Sequence, residues 1–132
     1  MISDISSTTS QIVHLALDAS ALAHKIHANN IANSNTPGFI PSRLNFEEQL
    51  QLGLNPLISD NSSNKSMMLD ELARLSDDLN SGNFVTTENQ DSVQIDIEMI
   101  ELTKNVLRYQ ALLEGLSKFG SITRMAVSES RE

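Results

Sequence analysis

Apolar residues recur in two long stretches of this chain, one towards each end, in alternating steps of three and four. In the first, Ile12, Leu15, Ala19, Leu22 and Ile26 keep that rhythm, which puts them on one stripe of an α-helix, a heptad seam. Ala16, Ala23 and Ala32 keep the flank narrow, so another helix can approach closely. The spacing predicts a helix over 11–33, about 34 Å long at the standard rise, with Ser10 as its N-cap. In the second stretch Ile95, Met99, Leu102, Val106, Tyr109, Leu113, Leu116, Thr123 and Val127 hold heptad spacing, interrupted only at Gly120, and Leu112 and Phe119 widen the stripe. It predicts a helix over 92–127, about 54 Å long, followed by a tail at 128–132. Two helices of unequal length cannot cover each other completely. The surplus seam is expected to pack on other subunits or to stay exposed and partly frayed.

The pattern between them, over 34–91, is weaker. Phe46, Leu50 and Leu54 give a modest apolar side to a short helix, with Asn45 and Glu48 spaced as a capping box. Gly53 and then Asn55-Pro56 are expected to end it. Residues 60–66 are polar and aperiodic and read as a linker. Met68, Leu72, Leu75 and Leu79 return to helical spacing over 67–80, which Asn80-Ser81-Gly82-Asn83 closes. Phe84 to Thr87 can form a short extended arm. The expected fold class is all-α: long N- and C-terminal helices in a coiled-coil hairpin around a loosely structured middle with short helices.

The exit of the first helix is the most distinctive segment. Ala28-Asn29-Asn30-Ile31-Ala32-Asn33-Ser34-Asn35-Thr36-Pro37-Gly38-Phe39 crowds asparagines ahead of a Thr-Pro-Gly. Asparagine tolerates the left-handed conformation that ends helices. Pro37 disfavours helix at Thr36 and presets a turn, in which Gly38 supplies the unrestricted backbone.

Composition narrows the function. Apolar content is 39% and aromatic content 4%, thin for a self-sufficient core, so part of the apolar surface is expected to be buried against neighbours. The absence of cysteine excludes disulfides and thiolate metal sites. A net charge of −8 argues against nucleic acid as a partner. Acids dominate from Asn45 to Glu101, whereas Lys104, Arg108, Lys118 and Arg124 follow with Glu114 as the one acid before Val127. That order suits the dipole of a long helix. His14, His24 and His27 could suggest a metal, but the Glu-x-x-His pattern of helical di-metal sites is missing. Asp96, Glu98 and Glu101 could hold a hard cation; acids in a first helical turn explain them more simply. With no glycine-rich phosphate loop and no nucleophile arrangement, the expectation is a protein without catalysis, cofactor or small-molecule substrate. No apolar run reaches the length of a membrane span. Met1 to Gln11 lacks the basic and apolar regions of a cleaved signal.

The string Asn29, Asn30, Ile31, Ala32, Asn33, Asn35, Thr36, Pro37, Gly38 and Phe39 closely resembles the N-terminal signature of the bacterial flagellar axial proteins, which build the rod and hook. Val93, Asp96, Glu98 and Met99, followed by Lys104, Asn105, Leu107, Arg108, Tyr109, Gln110 and Ala111, resemble the C-terminal helix of the proximal-rod family, FlgB. The resemblance implies a structural subunit of the basal-body rod in the periplasm. It implies terminal helices packed as coiled coils around an export channel, and torque transmission as the task. Implied partners are other copies, the rod protein FlgC, the rod adaptor FliE and the flagellar export gate. Export without a cleaved signal is implied too, with residues 1–10, rich in Ser and Thr, as its mobile carrier. Two alternatives stand beside it: another axial protein of the distal rod or hook, and an unrelated helical secretion chaperone.

Overall fold

The computed structural model describes residues 2–59, 65–89 and 92–129. In chain order the elements are α1 (Ile2–Ala32), β1 (Ser42–Leu44), α2 (Phe46–Ser59), α3 (Lys65–Asn80), β2 (Val85–Thr87) and α4 (Ile95–Glu129). The two long helices pack lengthwise and antiparallel, since Ser20 meets Asn105 and His27 meets Glu98. The result is an all-α hairpin with a small appended middle.

The middle supplies most of the apolar core. Leu72, Leu75 and Leu79 form one face of α3 and press on Leu15 and Ala19 of α1, with Phe46 and Phe84 closing the cluster. Leu75 has no exposed surface. The Phe46 and Phe84 rings lie 6.0 Å apart at 57°, a tilted arrangement that suits their quadrupoles. Ile12, Leu22, Leu44, Leu50, Leu54 and Met68 pack around this cluster. Each fully buried aliphatic side chain contributes about 1.5–3 kcal/mol.

Several boundaries differ from the pattern. Helix α1 begins at Ile2, so Ser10 lies inside it and is not its N-cap. Thr8, Thr9 and Ser10 are half-buried. Helix α2 runs through Gly53 and Pro56 to Ser59. Pro56 frees the carbonyl of Leu52, and Leu52 is well exposed, so water can serve that carbonyl. Asn45 does stand at the start of α2, but its N–H donates to the Phe84 carbonyl (2.8 Å) and not to Glu48 as a capping box requires. Of the expected linker, 60–64 lie outside the described residues, and Lys65 and Ser66 belong to α3. Of the expected tail, 130–132 also lie outside them.

Helix α3 ends as its sequence says. Gly82 has φ +75°, its N–H donates to the Leu79 carbonyl, and the Asn83 N–H reaches back to Asp78, the paired bonds of a Schellman cap. The chain then forms β2, which pairs antiparallel with β1 through Ser42–Thr87, Arg43–Thr86 and Leu44–Val85. Strand β1 carries no period that a three-residue segment could reveal.

Candidate assembly site

Asn30 anchors the signature. It is fully buried, at the point where α1, β1 and α4 converge. Its Nδ2 donates to the Ser42 carbonyl (2.8 Å), and the Ser42 N–H donates back to its Oδ1 (3.0 Å). The side chain therefore pairs with β1 as a neighbouring strand would. Nδ2 also reaches Glu98 Oε1 (3.2 Å) on α4. The other asparagines work locally: Asn33 Nδ2 donates to the Asn29 carbonyl (2.9 Å) and is near Asn29 Oδ1 (3.1 Å), while Thr36 Oγ1 donates to Asn33 Oδ1 (3.3 Å). Ile31 is half-buried, and Ala32 and Asn35 are exposed. The Phe39 N–H then donates to the Thr36 carbonyl across Pro37 and Gly38 (3.2 Å). Gly38 has φ +75°, the conformation a type II turn demands at that position.

Glu98 is buried among polar partners. It accepts from Asn30, and its other oxygen lies 2.7 Å from His27 Nδ1. One heptad further along α4, Ser20 Oγ donates to Asn105 Oδ1 (2.7 Å) and Asn105 Nδ2 donates to the Ser20 carbonyl (2.8 Å). Both layers are satisfied: among the described residues, every buried side-chain polar atom has a partner. Glu101 turns the other way and accepts from Lys104 (2.7 Å). That hydrogen bond holds its carboxyl below the usual range, against a smaller opposing effect of burial. The structure does not gather Glu98 and Glu101 into a cation site. The histidines are not gathered either: His14 and His24 are exposed and His27 is engaged by Glu98. Among the described residues no cluster suited to a metal forms.

The seam residues fall into two groups. On α1, Leu15, Ala19 and Ile26 are buried, and Ile12 and Leu22 are half-buried. On α4, Ile95, Met99, Val106, Tyr109 and Leu113 are exposed in the single chain, Met99 to 56%. Leu102 and Leu116 are half-buried. The stripe turned towards α1 is displaced around the helix: it carries Glu98, Leu102, Asn105, Leu112, Leu116 and Phe119. Helix α4 carries apolar residues well beyond its inward stripe: the heptad stripe of Ile95, Met99, Val106, Tyr109 and Leu113 is exposed, and so are Ile97, Ile100, Leu107, Ile122 and Met125.

The C-terminal motif is divided in the same way. Asn105 points inward, Leu107, Gln110 and Ala111 point outward, and Arg108 reaches Glu47 of α2 (2.5 Å). A groove of about 600 Å³ lies beneath that ion pair, floored by Ala16, Ala19 and Ala23. Sequence reasoning missed Ser20 and the structural role of Glu98. The available signal was the heptad spacing shared by Ser20 and His27 and by Glu98 and Asn105. No helix among the described residues is long and apolar enough to cross a membrane.

A family model described as "Flagella basal body rod protein" matches residues 15–39, the end of α1 and the signature turn. Across 128 residues, 88% of this chain and 91% of the relative, the chain is 30% identical to the flagellar basal body rod protein FlgB of Bacillus subtilis (strain 168). No solved structure matches.

Proposed function

Because this chain belongs to the FlgB family of flagellar basal body rod proteins, we propose that it builds the proximal rod through the outward stripe of α4. Family membership places it in the basal body with other rod proteins and sets aside the secretion chaperone. The match along nearly the whole relative also favours the proximal rod over a hook or distal-rod protein. The observation that carries the mechanism is the uncovered apolar stripe Ile95, Met99, Val106, Tyr109 and Leu113. A monomer gains nothing from such a stripe, whereas a subunit packed by its neighbours buries it. A head-to-tail contact that does not close on itself generates a helical tube. Many such contacts together make that tube stiff enough to transmit torque around an export channel. In this reading the chain leaves through the flagellar export gate without signal cleavage and stands in the periplasm. It contacts its own copies, FlgC and the adaptor FliE.

Val106→Asp tests the reading. It sets a charge where a neighbour's apolar surface is expected, a placement worth several kcal/mol when desolvated. The variant protein should be made and delivered to the export apparatus, yet leave basal bodies with no rod beyond the inner ring. Fractionation and imaging of basal bodies read both outcomes. Normal rods and normal swimming would show that Val106 faces solvent in the assembly.

A further inference from the structure

Helix α4 has a choice of faces, and its most apolar one is not the one packed on α1. Taking the centre of each stripe at 100° per residue, the inward and outward stripes lie about 75° apart around the helix. Rolling α4 by that angle would bury Met99, Val106 and Leu113 against α1 and bring Glu98 and Asn105 to water. Apolar contact alone favours the roll. We propose that Ser20 and His27 of α1, by pairing with Asn105 and Glu98, select the face that α4 turns inward and so keep the more apolar stripe available outside.

The geometry supports this selection in three ways. The two polar layers sit one heptad apart on both helices, so they engage together in a single register and rotation. Each buried group is satisfied only in that arrangement: Asn105 exchanges two hydrogen bonds with Ser20, and Glu98 receives His27 and Asn30. Chain connectivity does not impose the arrangement, because Glu88 to Gln94 separate β2 from α4. A buried amide or carboxylate without partners is costly enough to outweigh several apolar contacts. Buried polar residues fix register in other helical pairs for the same reason. That the outward stripe serves assembly rests on the rod reading above; the choice of face does not.

The chain has no cysteine, so single thiols report the face directly. Met99→Cys marks the outward stripe and Leu112→Cys the inward one. In the purified chain the thiol at 99 should react with a maleimide faster than the one at 112. Ser20→Ala with His27→Leu removes two of the three α1 partners, leaving Asn30 on Glu98, and keeps α4 unchanged. Reaction at 99 should then slow at least tenfold while reaction at 112 quickens. Ser20→Thr with His27→Gln keeps hydrogen-bonding groups and should return the parent pattern. Unchanged rates in the Ala/Leu chain would overturn the proposal. Fast reaction at both positions would overturn it too, since the polar pairs would then hold the hairpin together and not choose its face. These rates are read on the isolated chain, so their failure leaves the rod assignment standing. Failure of Val106→Asp to block rods leaves the face selection standing.

Discussion

Replacing Asn30 by Ala removes three hydrogen bonds from a fully buried position: two exchanged with the Ser42 backbone and one to Glu98. Each bond contributes about 1 kcal/mol net, more where a carboxylate accepts, and the Ser42 groups lose their pairing, so the loss comes to roughly 3–4 kcal/mol. That is a large share of the ~5–15 kcal/mol that holds a domain of this size. Urea unfolding of the purified chain, followed by helical circular dichroism, should show the midpoint falling by about 1.5–2 M at a slope near 2 kcal/mol/M. Asn29→Ala is the control: Asn29 is exposed and its side chain accepts from its exposed neighbour Asn33, so its cost should stay within about 0.5 kcal/mol. Asn30→Asp adds a pH signature. A carboxyl beside Glu98 titrates higher folded than unfolded, so the variant should recover part of its deficit below the ordinary carboxyl range and lose it as pH rises. If Asn30→Ala unfolds within 0.5 kcal/mol of the parent, Asn30 does not join α1 to β1 and α4 as described.

Gly38→Val should cost about 1–2 kcal/mol through backbone strain, since nothing lies within 4 Å of an added Cβ; Gly38→Asn should cost less, and thermal unfolding separates them. Leu75→Ala empties the centre of the core and should cost about 2–5 kcal/mol by the same urea assay. On α3, the hydrogen bond from Arg74 is the main reason the Glu71 carboxyl lies below its usual range. Its stabilisation is present above the unfolded carboxyl value and fades as pH falls through the lowered one. Arg74→Gln should flatten that acid limb by under about 1 kcal/mol, because the pair is largely solvated.

Local chemistry was legible in the sequence. Thr36-Pro37-Gly38-Phe39 forms the turn its residues dictate, although α1 has already ended at Ala32 and, among the described residues, no asparagine takes the left-handed conformation; Asn80-Ser81-Gly82-Asn83 closes α3, and Leu72, Leu75 and Leu79 lie on the buried face their spacing implies. What escaped depends on residues far apart in the chain. Strand β1 exists because Val85 to Thr87 and Asn30 supply its partners. Helix α2 passes Gly53 and Pro56, which a local reading takes as a stop. The inward face of α4 is set by Ser20 and His27, so a count of apolar positions along α4 could not find it. Glu98 reads as an ordinary first-turn acid until α1 is placed beside it.

A rod subunit that packs through α4 buries the outward stripe of that helix against its neighbours. The most direct measurement compares thiol reactivity at Met99→Cys, Val106→Cys and Leu113→Cys in the purified chain and in isolated basal bodies. The thiols should react readily in the free chain and be strongly protected in the assembled rod. Equal reactivity in the two states would contradict this packing.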